Sequence, residues 1–479
     1  MEGLFAAVNA VLSFVTPVSD FFWDFPKMFG FWQAIPLLGQ FSLAIIVLVG
    51  SGLYFTFRLG FIQIQCFSRG VRTLMDNHSI RTGISPLAAF CLSTAMRVGP
   101  GNIIGVTGAI AAGGPGALFW MWMAAFFGMA TKYAEGLLAV KYRETDEKGE
   151  IAGGPMYYIK NGMGKKYKWL GGLFAFFGVL VAYFGIGTFA QVNSIVDITK
   201  MTIGLDPVWT GAILTIFVAA ITIGGLQSIA AAASRIVPAM AFIYFLSTIG
   251  VLLVFADKVP AAVSMIFESA FTTTAATGGF LGATVMMAMR NGVARGVFSN
   301  ESGLGSAPIV AAAAKTKWPA EQGLISMTGT FIDTIIICTL TGLTLVVTGV
   351  WCGMENGAAL TNAAFTSAFP VFGGYMLLIG LVLFAFTTIL GWNYYGERCM
   401  IYLVGTKGVL PYRLVFILLI ASGAFLKLEA IWILADIVNG LMAIPNLIAL
   451  LFLSGICVRE TKKYMDHLKT GKPYEEYED

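Results

Sequence analysis

Long runs of apolar residues alternate with short polar segments along most of this chain. A helix needs about 20 mainly apolar residues to cross a bilayer, so the pattern predicts an all-α membrane protein with eleven spanning helices. The semi-polar intervals 257–292 and 351–371 are predicted to form re-entrant or interfacial caps. The predicted spans are 35–57, 86–112, 116–140, 168–199, 207–225, 236–256, 293–314, 323–350, 372–397, 413–427 and 430–456.

Two of the apolar runs are interrupted by sequences that a regular helix does not tolerate. Gly99-Pro100-Gly101-Asn102 interrupts one of them, and Ser299-Asn300-Glu301-Ser302-Gly303 interrupts the other. Proline removes a backbone donor and glycine adds conformational freedom. Inside lipid, such a break survives only where protein or a water-filled cavity surrounds it. Because transporters use broken helices to aim helix ends at substrates and ions, the two breaks indicate a carrier.

The spacing of polar clusters predicts an inverted repeat. Gln191 and Asn193 lie two predicted spans after the first break, and Trp392 with Asn393 lies two spans after the second. An odd number of crossings separates the two breaks, so the repeats have opposite topology, as in secondary transporters built from five plus five helices. The predicted units are an extra helix and loop (1–85), a first repeat (86–256), a second repeat (257–456) and a cytoplasmic tail (457–479).

Composition agrees with a membrane protein and excludes several other classes. Hydrophobic residues make up 57% of the chain and charged residues 12%, against about 25% charged residues in soluble domains. Six scattered cysteines without a CxxC pair predict no disulfide framework. The sequence has no basic stripe with interleaved aromatic residues, so we do not expect nucleic acid as a partner. The expected partner is membrane lipid.

Lysine and arginine counts predict the orientation. With the N-terminus outside, the predicted inner segments hold twenty-one of these residues and the outer segments five. Because cytoplasmic loops of membrane proteins are rich in basic residues, we expect the N-terminus outside and the C-terminus in the cytoplasm.

The first break offers groups for both a carboxylate and a cation. Backbone amides near Gly99 and Gly101 lose their helical partners and can bind a carboxylate at the start of the following half-helix. The carbonyls of Ala95 and Val98 can coordinate a small hard cation, and the side-chain oxygen of Asn102 suits the same ion. The alternative is that these glycines serve close helix packing alone.

The second break supplies a different set of side chains. Phe298 is a candidate wall of a substrate pocket, and Ser299 and Asn300 offer carbonyl and side-chain oxygens. Glu301 is a carboxylate within an apolar span, where such residues are costly and usually functional or paired. It could hold an ion, shuttle a proton, or pin the two helix halves together, and the sequence favours the last role slightly.

Further along the chain, two hydroxyls and two carboxylates fall within apolar spans. Thr387 and Thr388 are candidate Na⁺ ligands beside unwound carbonyls. Threonines in membrane helices often bond to their own carbonyls, and spacing alone favours that alternative. Asp436 is a candidate for the transport pathway. Asp333 is equally compatible with a coupling role and with a packed, hydrogen-bonded one.

An arginine precedes each break. We expect Arg97 and Arg295 to take part in gate salt bridges with Asp436, Glu301 or Asp333, and the sequence does not choose the pairs. The alternative for both arginines is snorkelling toward the membrane interface.

Five segments of the chain carry recognisable motifs. They are Gly101-Asn102-Ile103-Ile104-Gly105-Val106, residues 113–122, residues 128–135, Gly153-Gly154-Pro155-Met156-Tyr157-Tyr158-Ile159 and residues 298–307. These motifs resemble those of the alanine/glycine:cation symporter family of prokaryotes. The resemblance runs from about residue 40 to residue 456 and implies an eleven-helix carrier with the leucine-transporter fold, which moves alanine or glycine with Na⁺ by alternating access in the cell membrane. We expect it to work as a monomer and not to be an enzyme.

The first break is also similar to the Val-Gly-Leu-Gly-Asn break of neurotransmitter:sodium symporters. That resemblance implies that the amides near Gly99 and Gly101 bind the substrate carboxylate and that Asn102 corresponds to a ligand of a second Na⁺ site. It implies one Na⁺ site made by Ala95, Val98, Thr387 and Thr388, and a pocket lined by Gln191, Phe298, Asn300 and Trp392. A proton-coupled carrier or exchanger, with Glu301 or Asp333 titrating, is the alternative within the same architecture.

Overall fold

The computed structural model describes residues 17, 21, 25–35, 41–74, 85–147, 149–273, 284–352, 357–424 and 429–474, with side chains from 437 onward in the last range. The described part is helical apart from one two-stranded antiparallel hairpin, β1 (Glu144–Thr145) and β2 (Ile151–Ala152). The prediction of an all-α membrane protein is therefore confirmed.

Seventeen helices of ten or more residues are numbered along the described chain. A short helix, Gly30–Gln33, precedes them. Three more, Ile62–Gln65, Phe67–Thr73 and Pro155–Tyr158, lie between them, and a fifth, Ala307–Ala311, follows the second break. The long helices are α1 (Leu43–Arg58), α2 (Pro86–Arg97), α3 (Ile104–Gly113), α4 (Gly116–Lys141), α5 (Lys168–Phe184), α6 (Phe189–Ile203), α7 (Pro207–Thr222), α8 (Gly225–Val254), α9 (Val259–Phe271), α10 (Val285–Asn300), α11 (Pro319–Thr330), α12 (Thr339–Thr348), α13 (Gly357–Ala368), α14 (Gly373–Val404), α15 (Val409–Gly423), α16 (Glu429–Phe452) and α17 (Ser454–Thr470).

Local sequence explains where several of these helices begin. The hydroxyl of Ser85 accepts a hydrogen bond from the amide of Ala88, and Pro86 occupies the first helical position of α2. Asp206 with Pro207 does the same for α7, and Thr284 caps α10. A polar cap followed by proline satisfies one free amide and fixes a helical backbone angle where no donor is needed.

Both predicted helix breaks are present. The first separates α2 from α3 through a 3₁₀ turn, Pro100–Asn102. The second begins after Asn300, and regular helix resumes at Ala307. Phe298, Ser299 and Asn300 therefore form the last turn of α10, and the irregular segment is 301–306.

The structure corrects several predicted boundaries. The segment 226–236, expected to be a cytoplasmic loop, belongs to α8, which continues through Pro238 without ending. The predicted single span 168–199 is divided into α5 and α6 by Gly185–Thr188. Within the two semi-polar intervals, α9 and α13 form, and α10 begins at Val285, before the predicted span.

Five helical segments of the described chain are long and apolar enough to cross a membrane, and a bent pair formed by α16 and α17 raises the number to six. The interrupted helices are too short individually to pass on length. The count of eleven spans, the inverted repeat and the domain boundaries stay predictions.

Helix α4 is the central element of the core, because α10, α11, α9 and α1 all pack against it. Glycines allow some of these approaches. A Cβ added to Gly292 of α10 would lie 2.2 Å from the backbone oxygen of Ala117, and one added to Gly136 of α4 would lie 2.4 Å from Ser326 Oγ. Small residues that let helix backbones approach are the usual basis of packing inside membranes.

The hairpin links two helices that are far apart in sequence. Arg398 of α14 pairs with Asp146 at 3.0 Å and also with Glu150. Arg143, just before β1, donates to the carbonyls of Ala312 and Ala314, which follow the short helix Ala307–Ala311. The hairpin therefore holds the far side of the second break next to the end of α14.

The α4–α10 contact predicts the effect of a single methyl group. Gly292→Ala should lower the free energy of unfolding by about 1–3 kcal/mol, the usual cost of overpacking a tight core, because the neighbouring atom is backbone. Thermal unfolding in detergent measures this effect. Gly172→Ala in α5 is the control, since no atom lies within 4 Å of its added Cβ, and equal stability of the two variants would contradict the prediction.

Candidate functional site

The first break reorganises its own hydrogen bonds. The amide of Gly99, which a continuous helix would direct to the carbonyl of Ala95, donates instead to Asn102 Oδ1 at 2.9 Å. The Ala95 carbonyl thereby loses its helical donor. It accepts a hydrogen bond of 3.2 Å from the hydroxyl of Thr388 on α14, so the predicted ion-site residues Ala95 and Thr388 lie together.

Thr388 also sits directly against the break, whereas Thr387 does not. A Cβ added to Gly99 would lie 2.7 Å from Thr388 Oγ1. The hydroxyl of Thr387 donates to the carbonyls of Leu383 and Phe384 in its own helix and lies 3.5 Å from the sulfur of Met240 on α8. The hydroxyl of Thr388 also lies within hydrogen-bond distance of the carbonyl of Phe384 in its own helix, at 2.8 Å. Both threonines therefore contact carbonyls of their own helix, and of the two it is Thr388 that also lies beside the Ala95 carbonyl of the first break.

The two breaks meet at Asp333. The Asn102 side-chain nitrogen donates to Asp333 Oδ1 at 2.8 Å and to Ser299 Oγ at 2.9 Å. Ser299 and Thr334 each donate to Asp333 Oδ2, at 2.9 and 2.8 Å. Asp333 is completely buried and lies in a π-helical stretch, Phe331–Cys338, between α11 and α12. Such stretches occur frequently at functional sites.

Glu301 connects the two ends of the second break. Its backbone is left-handed, with φ 54°, and its carboxylate accepts a hydrogen bond of 2.5 Å from Ser306, the residue just before the short helix. The side chain is 1% exposed. The carboxylate therefore bonds across the irregular segment, and pinning of the two helix halves, the role that the sequence favours slightly, stays a prediction.

The predicted pocket residues lie on three elements. Gln191 and Trp392 are buried on α6 and α14, and Phe298 is half-buried on α10. Asn300 accepts from the amide of Ser302 at 3.0 Å and lies 3.4 Å from Thr334 Oγ1. Backbone exposure at Gly101, between the buried residues Pro100 and Asn102, shows that open space reaches the first break.

Several buried polar atoms on α6, α14 and α16 have no hydrogen-bond partner in the described part of the chain. Within the described residues, Gln191 Oε1, Trp392 Nε1 and both amide atoms of Asn393 and of Asn439 have no hydrogen-bond partner. Buried polar groups are normally paired with protein, water or a ligand. These atoms lie on α6, α14 and α16, and Gln191 and Trp392 are among the predicted pocket residues.

The predicted gate pairs are not formed between described side chains. Arg97 is 4% exposed, its Nε donates to the carbonyl of Ser93 at 3.1 Å, and its two terminal nitrogens have no hydrogen-bond partner in the described part. Arg295 is exposed and makes no ion pair with a described residue. Asp436 lies in α16, but its side chain is outside the described residues.

Four buried residues near the breaks carry no role predicted from the sequence: Lys132, Glu135, Cys338 and Asn446. Lys132, Glu135 and Asn446 contact the second break directly. The sulfur of Cys338 lies 3.3 Å from both Asn102 Nδ2 and Ser299 Oγ. Lys132 and Glu135 could have been recognised from the sequence, because they form a Lys-x-x-Glu pair within one apolar helix. Charges inside a membrane are costly unless they are paired.

Among the described residues, no group of three or more His, Cys, Asp and Glu side chains is arranged to hold a metal ion. The oxygens at the two breaks belong to carbonyls, hydroxyls, side-chain amides and the carboxylates of Asp333 and Glu301. Oxygen ligands of this kind are those that hard cations prefer.

Apolar spanning helices with two buried, oxygen-lined breaks define a multi-pass membrane transporter. A family model described as the sodium:alanine symporter family matches residues 32–478, and the chain belongs to this family. It is 55% identical to an uncharacterized transporter of Haemophilus influenzae over 89% of this chain and 93% of that protein. It is 48% identical to the sodium/alanine symporter AgcS of Methanococcus maripaludis over 88% and 93%.

A more distant relative carries a different substrate name. The chain is 38% identical to the probable sodium/glutamine symporter GlnT of Bacillus subtilis over 91% of both chains. A crystal structure of the Eremococcus coleocola manganese transporter in complex with an aromatic bis-isothiourea compound matches with 10% identity and a TM-score of 0.49, over 80% of this chain and 82% of that one. Family membership identifies the protein as a sodium-coupled amino-acid symporter and not an enzyme.

The junction at Asp333 predicts a loss of stability on neutralisation. Asp333→Asn should lower the free energy of unfolding by about 1–3 kcal/mol, because hydrogen bonds to a buried charged acceptor are lost or reversed. Ser299→Ala, which removes one donor of the three, should cost less. Thermal unfolding of both purified variants tests this order, and an Asp333→Asn protein as stable as the native one would contradict it.

Proposed function

We propose that this protein couples inward Na⁺ movement to the uptake of alanine or glycine by alternating access, with its N-terminus outside and its C-terminus in the cytoplasm. The observation that carries the proposal is the freed carbonyl of Ala95 facing the hydroxyl of Thr388 at 3.2 Å. It joins a broken helix to α14 through two oxygens of the kind that bind Na⁺.

In this proposal Na⁺ binds between the first break and α14. Ala95, Val98 and Thr388 supply oxygens, and binding holds the end of α2 against α14. Thr387 is the weakest member of the predicted set, since its hydroxyl faces Met240 and its own helix and not the first break. A second cation position would take its oxygens from Asp333 and Ser299, because Asn102 directs its side-chain nitrogen to both of them and its oxygen to the amide of Gly99.

The substrate carboxylate is assigned to the amides of the first break. Gly101 is the better candidate, because the amide of Gly99 is already paired with Asn102. Gln191, Phe298, Ser299, Asn300 and Trp392 are proposed to surround the rest of the molecule. The large buried side chain of Trp392 favours a small substrate such as alanine or glycine over glutamine.

Sodium and substrate are expected to bind cooperatively. The two breaks share the hydrogen bonds at Asp333, so ordering one break favours the ordered form of the other. Each ligand then raises the affinity of the other by the same factor. We propose that Arg97, Arg295, Glu301, Asp333 and Asp436 take part in opening and closing, with pairs that form in other conformations.

Uptake into proteoliposomes tests the function. Purified protein should accumulate [¹⁴C]alanine against its gradient when Na⁺ is imposed outside, and excess unlabelled glycine should compete while glutamine competes poorly. Accumulation that ignores Na⁺ and requires an acidic exterior would instead support the proton-coupled alternative. Empty liposomes and liposomes with equal Na⁺ on both sides are the controls.

The two threonines provide a matched test of the ion site. Thr388→Val should raise the Na⁺ concentration for half-maximal uptake by roughly tenfold, the factor that corresponds to about 1.4 kcal/mol, because it loses the oxygen beside Ala95. Thr387→Val should change it much less. Sodium titration of alanine uptake by both variants measures the difference, and equal effects would place the ion elsewhere.

A further inference from the structure

The second break leaves backbone groups that only side chains can satisfy. Between Asn300 and Ala307 the chain follows no regular helix, and Glu301, Gly303 and Gly305 all have positive φ angles, of 54°, 88° and 84°. Glu301 in particular adopts a conformation that costs energy for a residue with a side chain. Its persistence inside an apolar core requires that the surroundings fix it.

Three side chains from outside the break hold its backbone. Lys132 Nζ donates to the carbonyl of Glu301 at 2.7 Å. Glu135 Oε1 accepts from the amide of Gly305 at 3.1 Å. Asn446 Nδ2 donates to the carbonyl of Gly303 at 2.9 Å. Each side chain therefore forms a hydrogen bond with a different backbone group of the irregular segment.

The three side chains also hold one another. Lys132 and Glu135, one turn apart on α4, form an ion pair of 3.2 Å, and Asn446 of α16 donates to Glu135 at 2.7 Å. Tyr158 donates to Asn446 in turn. Because Lys132 and Asn446 are fully buried and Glu135 is 1% exposed, the network works without competition from water.

This network, which we name the Lys132–Glu135–Asn446 clamp, lies immediately after the last turn of α10. That turn carries Ser299, which contacts Asp333 and Asn102 of the first break. A shift of the segment 301–306 would move Ser299 and Asn300 relative to both. The positions of Ser299 and Asn300 therefore depend on the clamp side chains, which bind the segment that follows these two residues.

We propose that the Lys132–Glu135–Asn446 clamp is a positioning device, which fixes the second break so that the end of α10 is set for substrate and sodium binding. It contacts the break and not the ligands. The transport part of this inference rests on the proposed function, whereas the ordering of the break does not.

Lys132→Met tests the clamp, because methionine fills similar space and cannot donate to Glu301. Lys141→Met is the matched control. Lys141 lies on the same helix and forms an ion pair of 3.3 Å with Glu460, away from the break. Glu135→Gln is the milder second variant, in case Lys132→Met does not fold: it keeps an oxygen for Gly305 and removes the charge that balances Lys132.

Hydrogen–deuterium exchange of the full-length protein gives the first readout. Amides in 301–306 should exchange roughly tenfold faster in Lys132→Met and in Glu135→Gln, as expected for a lost charge-assisted hydrogen bond, while α14 exchanges as in the native protein. Unchanged exchange in 301–306, or an equal increase throughout the chain, would overturn the proposal, the second outcome indicating a general loss of stability.

Alanine uptake gives the second readout. The KM should rise roughly tenfold in the clamp variants at saturating Na⁺ with little change in maximal rate, the pattern of lost ground-state binding, and Lys141→Met should match the native protein. A lower maximal rate at an unchanged KM would overturn the positioning role. If the native protein takes up no alanine, the proposed function fails, and the exchange measurement still decides the clamp.

Discussion

Inside a membrane, a peptide group that leaves a helix has to find its partner within the protein. This constraint governs both broken helices, and they meet it differently. The first break is short and largely satisfies itself, because the side chain of Asn102 folds back onto the amide of Gly99. The second is longer and depends on Lys132, Glu135 and Asn446 from α4 and α16.

The difference between the breaks has a consequence for their neighbours. Since the first break supplies its own partner for Gly99, the carbonyl of Ala95 is released to face Thr388. At the second break, the carbonyls of Glu301 and Gly303 are bound by Lys132 and Asn446. In the proposed function, the first break therefore receives the ion, and the second is held in place while the turn before it contacts the amino acid.

Sequence patterns predicted the parts of this arrangement that local chemistry determines. Gly99-Pro100-Gly101 cannot continue a helix, and that prediction needed no tertiary information. The break at Gly185–Thr188 was missed because its residues fit an apolar run, and the loop at 226–236 was wrong because α8 runs from Gly225 through Pro238. The Lys132–Glu135–Asn446 clamp joins residues more than three hundred positions apart, and no local pattern reports such a contact. The different surroundings of Thr387 and Thr388 also follow from tertiary packing alone.

The contacts also suggest how an event at one break reaches the other. Helix α14 touches the first break through Thr388 and, through Arg398, holds the hairpin whose base binds the segment after the second break. The shared carboxylate of Asp333 joins the breaks directly. The breaks are thus linked at two separate places. In the proposed mechanism, an ion that fixes the end of α2 against α14 narrows the range of positions open to the end of α10, and this restriction couples the binding of the ion to that of the amino acid.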